Sequence, residues 1–265
     1  MIHETAIISS QADIGGDVEI GAFAIVESDV TVEAGSKIAA HAILKSGTRI
    51  GRSVTIESFC VIGGLPQDLS FDASRSTYAQ IGDRTVIREG STINRATREG
   101  GATSVGEDCF LMALTHLGHD CRVGDRVVIG NNSLLGGFVT VGDDAFLGGA
   151  SGIHQFCRIG EGVMFGGDST ATMDVPPFTM FAERNKLFGL NLVGLRRRGH
   201  SRDSIKALKA CYAGLYAKRV NLKESAAEML RSELAEHAEC AAFLAFFADG
   251  TRGFAQPRKR GKAGE

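Results

Sequence analysis

Aliphatic residues recur at every sixth position over most of this chain. Counting in steps of six from Ile8 gives isoleucine, valine or leucine at every position as far as Ile62. The period resumes one residue out of phase at Ile81, and a longer run extends from Val105 to Phe165. Such a period predicts a mainly β fold, a parallel β-helix, in which each repeat is a short strand and a turn and three repeats make one triangular coil.

A small residue stands two positions before most of these aliphatic residues, where we expect each wall to bend inward. Four of the six cysteines, Cys60, Cys109, Cys121 and Cys157, occupy this position. We therefore expect them to be small buried hydrophobic residues rather than metal ligands or nucleophiles, and no two of them have a CxxC spacing. Glycine, 34 of 265 residues, often follows the aliphatic residue directly and suits a turn.

Two interruptions and a final stop divide the repeat. The period is broken near residues 64–80 and near 95–103, and insertions in a solenoid often lie on its binding face. The repeats should end near Asp174–Pro177, because proline cannot donate to a strand ladder. We therefore predict a β-helix over residues 1–180.

The rest of the chain has a helical pattern. Ser201 is a suitable N-cap, and apolar residues follow it at helical spacing. Further helical stretches over 222–234 and 239–248 predict a C-terminal α-helical cap of three helices at 181–255. The basic tail 256–265 is predicted to be disordered.

Composition and charge exclude several classes of protein. The formal net charge of −2 gives no support for nucleic-acid binding. No apolar run is long enough for a membrane span, and the N-terminus does not resemble a signal peptide. We therefore expect a cytoplasmic protein whose cysteines are reduced.

Candidate chemistry lies on the outer surface of the predicted coils. His116, His119 and His154 fall outside the inward positions, and Asp120 directly follows His119. Histidine is the natural general base near neutral pH, and a neighbouring carboxylate orients the ring and stabilises its charged form. Solvated surface histidines and a zinc site are weaker alternatives, because ligands on one flat strand and turn do not converge tetrahedrally.

Specific segments around these histidines point to a known family. They are QDLSF (67–71), IGDRTVIRE (81–89), HLGHDCRVG (116–124), GNN (130–132), HQFCRIG (154–160), DVPPF (174–178) and GLRRRGHSR (194–202). Over its repeats and cap, the chain resembles the UDP-N-acetylglucosamine O-acyltransferases that begin lipid A assembly. The resemblance implies a left-handed β-helix and a homotrimer with active sites between neighbouring prisms. It also implies transfer of an acyl chain, often 3-hydroxylated, from acyl carrier protein to the 3-position of the UDP-sugar, with no cofactor and no metal.

The resemblance also implies roles for single residues. His119 matches the general base, Asp120 its partner, and Gly137 the residue whose N–H stabilises the oxyanion. Substrate binding is assigned to Gln67 and Asp68 at the sugar, His116, His154 and Gln155 near the sugar and phosphates, Gly167 at the acyl groove, and Asn191, Arg197 and Arg198 at the nucleotide.

Four residues differ from the family pattern. Phe138, which we also count among the substrate-binding residues, stands where many members of the family have a histidine on the outer surface of the β-helix. Ser70 replaces a lysine, Val193 an acidic residue and Asn94 a histidine. These changes leave open an N-acyltransferase that uses a 3-amino UDP-sugar or another nucleotide sugar.

Other readings also remain open. An acetyl-CoA-dependent hexapeptide transferase is one, and a catalytically inactive binding or scaffold protein is another. Because acyl carrier protein is acidic, we expect basic residues to help dock it. The candidates are Arg184, Lys186, Arg196, Arg197 and Arg198.

Overall fold

The computed structural model describes residues 1–217 and 221–258, and its N-terminal part is a three-walled prism of short strands. Wall 1 has nine strands: Ile7–Ile8, Ile25–Val26, Ile43–Leu44, Val61–Gly64, Thr92–Asn94, His116–Leu117, Leu134–Leu135, Gly152–Ile153 and Thr170–Ala171. Wall 2 has eight: Asp13–Ile14, Thr31–Val32, Thr48–Ile50, Tyr78–Ile81, Ala102–Val105, Arg122–Val123, Thr140–Val141 and Arg158–Ile159.

Wall 3 continues from the prism into the C-terminal part of the chain. Its prism strands are Glu19–Ile20, Lys37–Ile38, Thr55–Ile56, Val86–Ile87, Phe110–Leu111, Val128–Ile129, Phe146–Leu147 and Met164–Phe165. Three more strands follow in the same sheet: Thr179–Ala182, Lys186–Leu190 and Gln256–Pro257. All neighbouring strands are parallel except the hairpin between Thr179–Ala182 and Lys186–Leu190.

The aliphatic residues of the six-residue period fill the prism, as predicted. They are buried throughout, apart from Ile8 and Ile14 in the first coil, which are half-buried. Small polar residues at the inward bend bond to the next coil. Ser36, for example, donates to the Gly51 carbonyl at 2.8 Å and accepts from the Val54 N–H at 3.0 Å. The small residues at the bend are therefore tightly packed, and their buried polar groups have hydrogen-bond partners.

The prism cysteines are confirmed as buried small residues. Cys60, Cys109, Cys121 and Cys157 are buried and free. Burial raises the pKa of Cys60, Cys109 and Cys157 to about 11 and that of Cys121 to about 12. Thiols of this kind stay protonated at neutral pH and are poor nucleophiles and metal ligands.

A small helical cap closes the C-terminal end of the prism. Its helices are α1 (Leu192–Arg197), α2 (Arg202–Ala217), α3 (Leu222–Met229) and α4 (Ala238–Ala245), with a 3₁₀ turn at Glu233–Glu236. Ser201 is confirmed as an N-cap, because its hydroxyl accepts the Ser204 N–H at 3.0 Å. The short helix α1 was not predicted. No helix in the described ranges is long and apolar enough to cross a membrane.

Two predicted boundaries shift in the structure. The boundary at residue 180 falls inside the strand Thr179–Ala182, so wall 3 runs past the two prolines. Pro176 and Pro177 lie at a corner, where no ladder donor is needed. The tail predicted to be disordered from residue 256 begins instead with Gln256–Pro257, which pairs with the strand Lys186–Leu190. Residues 259–265 of that tail lie outside the described residues.

One ion pair fastens the cap to the prism. The Arg158 guanidinium contacts the fully buried Asp174 carboxylate at 2.7 Å and also donates to the carbonyls of Phe246 and Asp249 in the cap. The ring of Phe246 lies 4.2 Å from the centre of the guanidinium. Removing either partner would leave a charge without its counter-ion in a largely buried position.

Asp174→Ala should therefore lower the free energy of unfolding by about 3 kcal/mol, because it leaves the Arg158 charge unpaired. Urea denaturation followed by circular dichroism measures the change. Glu19→Ala is the matched control, since it breaks the solvent-exposed Lys37–Glu19 pair and should cost only a small fraction of that amount. Equal losses in the two variants would show that the Arg158–Asp174 pair does not fasten the cap.

Candidate functional site

The irregular parts of the prism lie at the corner that follows wall 1. The loop 65–77 follows the strand Val61–Gly64, and the loop 95–101 follows Thr92–Asn94. His119 follows the next strand, His116–Leu117. Because these three strands are successive neighbours in wall 1, both loops and His119 leave the prism at the same edge.

His119 and Asp120 form a hydrogen-bonded pair at this corner. The His119 Nδ1 atom lies 2.9 Å from Asp120 Oδ2, and the two side chains are 13% and 10% exposed. The same carboxylate oxygen accepts the backbone N–H of Thr97 at 3.1 Å and its hydroxyl at 2.8 Å. The loop 95–101 therefore fixes the carboxylate that in turn fixes the imidazole.

Two phenylalanines extend the corner beyond His119. Phe138 meets the His119 ring edge-on, with centroids 5.3 Å apart, and stacks on Phe156 at 4.8 Å. Arg98 lies over the Phe138 ring at 5.4 Å. Phe138 thus makes a hydrophobic contact with the His119 ring. Many members of the family that the chain resembles have a polar side chain at this position.

Gly137 lies directly against the imidazole. A Cβ atom at this position would lie 2.6 Å from His119 Cε1 and 2.7 Å from Nε2, so only glycine allows this approach. The Gly137 N–H donates no hydrogen bond within the described residues. It is therefore available to an acceptor that enters beside Nε2.

These groups border an open cleft of about 790 Å³ on the outer face of wall 1. Six of the predicted site residues line it: Gln67, His116, His119, Gly137, His154 and Gln155. Asn94 lines it as well, is 7% exposed, and has a buried carboxamide oxygen without a partner in the described residues. The structure thus brings residues from five different coils to one surface.

Two further polar groups are held by near neighbours. His116 Nδ1 lies 2.7 Å from the Thr92 hydroxyl, and burial lowers the pKa of the ring below its ordinary value. Asp68 accepts the Ser70 N–H at 2.9 Å and its hydroxyl at 2.7 Å. These two bonds hold the pKa of the Asp68 carboxyl below its usual range. Ser70, which differs from the family pattern, thus supports Asp68.

Four predicted site residues lie away from the cleft. Gly167 is at the opposite edge of wall 1, beside Gly149. Asn191, Arg197 and Arg198 belong to the cap. The Asn191 side chain caps α1 through the Gly194 N–H at 2.9 Å and donates to the Gly162 carbonyl at 3.0 Å.

The two cap arginines differ in their surroundings. Arg197 is exposed, whereas Arg198 is half-buried beside Gly162. The Nε and Nη2 atoms of Arg198 are buried without a partner in the described residues. Buried donors without a partner are costly, so these two atoms are candidate contacts for a negatively charged ligand.

Other residues of the cleft were missed from the sequence. Leu134, Gly152 and Thr170 line it. Starting from His116, each of them lies 18 residues after the one before it and pairs with it in wall 1. Reading every eighteenth residue from His116 would have found them. Arg184 also lines the cleft but comes from the turn after the strand Thr179–Ala182, which no repeat predicts.

Zinc was the weaker alternative for the histidines of this wall. The Nδ1 atoms of His116 and His119 contact different neighbours, Thr92 and Asp120. Within residues 1–217 and 221–258, no three side chains of His, Cys, Asp or Glu come together in a group that would hold a metal ion.

Comparisons with known proteins agree with this arrangement. The family model described as "Udp N-acetylglucosamine O-acyltransferase; Domain 2" matches residues 174–255, and a bacterial transferase hexapeptide model matches 102–137. Curated relatives named acyl-[acyl-carrier-protein]–UDP-N-acetylglucosamine O-acyltransferase are 43% identical in Thermodesulfovibrio yellowstonii and 42% in Syntrophobacter fumaroxidans. Each alignment covers 95% of this chain and 98% of the relative.

A solved structure extends the similarity to the fold. The UDP-N-acetylglucosamine acyltransferase of Francisella novicida superimposes with a TM-score of 0.93 at 30% identity, over 98% of this chain and 95% of that one. The fold is the left-handed parallel β-helix with a helical C-terminal cap that was expected from the sequence. Identity above 40% over nearly the full length of both sequences means that the chain belongs to the UDP-N-acetylglucosamine O-acyltransferase family.

Proposed function

We propose that this protein transfers an acyl chain, often 3-hydroxylated, from acyl carrier protein to the 3-hydroxyl of UDP-N-acetylglucosamine. The sugar oxygen forms an ester bond with the acyl carbonyl, the thioester bond breaks, and the carrier leaves as a thiol. The observation that carries the proposal is the His119–Asp120 pair in the cleft, with Gly137 against the ring edge that Asp120 leaves free. The curated relatives are named for this acyl transfer.

His119 acts as the general base in this proposal. Its Nδ1–H donates to Asp120, so the lone pair lies on Nε2, at the edge that faces Gly137. Nε2 takes the proton of the sugar hydroxyl as that oxygen attacks. The Asp120 carboxylate then stabilises the imidazolium, and Nε2 returns the proton to the leaving thiolate.

The Gly137 N–H stabilises the oxyanion that forms on the acyl carbonyl. The fold contains an internal precedent for this use. Ser46 occupies the equivalent turn position in an earlier coil, and its N–H donates to the carboxylate of Glu27 at 3.0 Å. A turn N–H at this corner is thus directed outward and can hold a negatively charged oxygen.

The remaining cleft residues bind the two substrates. Gln67 and Asp68 at the loop corner, with His116, His154 and Gln155 on the wall, offer donors and acceptors to the sugar and its phosphates. Leu134 and Gly152 provide an apolar, open surface for the start of the acyl chain, and Gly167 marks the far edge of this wall.

The cap residues support a homotrimer. Asn191, Arg197 and Arg198 are not part of the cleft in their own chain, although Arg198 has buried donors without an acceptor in the described residues. Paired guanidinium groups suit a diphosphate. We therefore place the nucleotide between the cleft of one copy and the cap arginines of a neighbouring copy. Asn191 contributes by fixing α1, since both ends of its carboxamide are already bonded.

A basic face of the cap suits the acidic donor protein. Arg202, Lys206 and Lys209 follow one another along α2 and, with Arg196, line a depression of about 500 Å³. None of these four forms an ion pair within the described residues. Lys186, in contrast, is already paired with Glu183 at 2.6 Å. We therefore propose that acyl carrier protein docks on this face of α2.

His119→Ala should reduce kcat/KM about a thousand-fold, because it removes the general base. Asp120→Asn should cause a smaller loss, because it weakens the orientation of the ring but leaves the ring in place. Release of the carrier thiol from acyl carrier protein measures both. His3→Ala, an exposed histidine of the first coil, is the control and should keep full activity. Undiminished turnover by His119→Ala, or none by the unaltered protein, would favour a scaffold.

The acceptor is tested by offering the 3-hydroxy and 3-amino UDP-sugars together. The residues that depart from the family pattern, Asn94 in the cleft among them, motivate the second sugar. Mass spectrometry should find mainly the ester of UDP-N-acetylglucosamine. Amide product alone would replace O-acylation by N-acylation, and acylation from acetyl-CoA without the carrier would contradict the assigned donor.

Arg202→Glu combined with Lys206→Glu should raise the KM for acyl carrier protein about tenfold or more, since both changes set like charges against an acidic partner. The KM for the nucleotide sugar should change little. Arg231→Glu, which reverses an exposed cation of the cap outside this face, is the control. An unchanged KM for the carrier in the double variant would rule out docking on this face.

A further inference from the structure

The corner that follows wall 2 has one residue in the left-handed region in each coil. Gly162 belongs to this series, with a φ of 62°, and its N–H donates to the Asp143 carbonyl of the coil before at 2.8 Å. Five earlier members of the series carry side chains and have φ values from 54° to 59°: Ser53, Arg84, Asp108, Arg126 and Asp144. The backbone of this corner therefore does not by itself require glycine at position 162.

Gly162 leaves room for an arginine of the cap. A Cβ atom at this position would lie 2.9 Å from Cζ and 3.2 Å from Nη1 of Arg198, and closer still to Nη2. Arg198 thus lies where a side chain at this corner would begin. Any residue other than glycine must displace the guanidinium, and the many rotamers of arginine allow this without a change in the backbone.

Hydrogen bonds hold the start of α1 against the same turn. The Asn191 carboxamide donates to the Gly162 carbonyl at 3.0 Å, and the Asn191 N–H donates to the Phe178 carbonyl at 2.6 Å. The Phe178 N–H in turn donates to the Glu161 carbonyl at 2.7 Å. Arg198 directly follows this short helix, so its backbone is fixed relative to Gly162 and only the direction of its side chain remains to be set.

We propose that Gly162 is a positioning residue that places the Arg198 guanidinium for a diphosphate; this rests on the proposed function, in which Arg198 binds the nucleotide sugar. Gly162 itself touches no substrate and acts only through Arg198. Guanidinium groups bind phosphate oxygens by directed hydrogen bonds, so displacement of the group weakens the contact.

Arg198 is close to a carboxylate of its own chain without pairing with it. Within residues 1–217 and 221–258, Arg198 forms no ion pair. Burial raises the pKa of the Glu161 carboxyl, and the nearby charge of Arg198 partly opposes this rise. The position against Gly162 therefore keeps the guanidinium apart from Glu161 and leaves it free for a phosphate.

Kinetics of Gly162→Asn test the consequence for binding, because asparagine adopts the left-handed region more readily than most residues with side chains. The KM for UDP-N-acetylglucosamine should rise about tenfold, as expected for a weakened hydrogen bond to a charged ligand, with kcat within about twofold. Gly162→Ala, with the smallest side chain that reaches the guanidinium, should give a smaller rise in the same direction.

Gly35→Asn is the matched control. Gly35 lies in the same corner with a φ of 74°, and a Cβ atom there would meet Ser53 alone, at 3.3 Å from its Oγ atom. Both constants should stay unchanged in this variant. Equal rises in KM in Gly35→Asn and Gly162→Asn, or a fall in kcat with unchanged KM in Gly162→Asn, would overturn the proposal.

A double variant separates this role from general damage to the cap. In an Arg198→Met background, Gly162→Asn should add no further rise in KM, because both changes remove the same interaction. Independent, multiplying effects of the two substitutions would show that Gly162 acts by another route and would overturn the proposal.

Titration calorimetry of the full-length protein with UDP-N-acetylglucosamine measures binding without turnover. The Kd should rise about tenfold in Gly162→Asn and stay unchanged in Gly35→Asn. Equal affinities of Gly162→Asn and the unaltered protein would overturn this proposal and leave the proposed function untouched. The expected loss of affinity in a protein that transfers no acyl chain would contradict the proposed function and support the role of Gly162. An unaltered protein that does not bind the nucleotide sugar would overturn both.

Discussion

The backbone ladder between successive coils is the interaction on which the rest of this structure depends. Each strand of wall 1 bonds to the equivalent strand of the next coil, as in the His116 N–H to the Ser133 carbonyl at 2.9 Å and the Leu134 N–H to the Ser151 carbonyl at 2.8 Å. The ladder fixes the register, so outward side chains one coil apart stand directly above one another. A binding surface is thereby assembled from residues that are far apart in sequence but equivalent in the repeat.

The corners of the prism place the candidate functional groups beside this regular surface. Asp120 and Phe138 both lie in the left-handed region, with φ of 59° and 61°, a conformation that is costly for residues other than glycine. The bond from the Phe138 N–H to the His119 carbonyl, at 2.9 Å, helps hold the two corners together. His119, the Asp120 carboxylate bonded to it and the Gly137 N–H are thus placed by backbone that the stacked coils keep rigid.

The sequence predicted the parts of the fold and the site that lie within the six-residue repeat, and it missed parts that lie outside it. The six-residue period predicts the prism core and the outward position of His119, and the neighbouring Asp120 suggests its partner. The place of Arg184 in the cleft could not be predicted in this way, because a hairpin brings it there from outside the repeat. Wall 3 continues past Pro176 and Pro177 because the restriction on proline applies within a strand ladder and not at a corner.

The burial of cysteine at the inward bend affects how the protein resists chemical modification. Electrophiles and oxidants attack cysteine mainly as the exposed thiolate. All six thiols of this chain are buried, four at the bend of the prism and two, Cys211 and Cys240, in the cap. Burial raises the pKa of both cap thiols as well, that of Cys240 to about 12. The thiols of this chain are therefore shielded from peroxide and from alkylating metabolites.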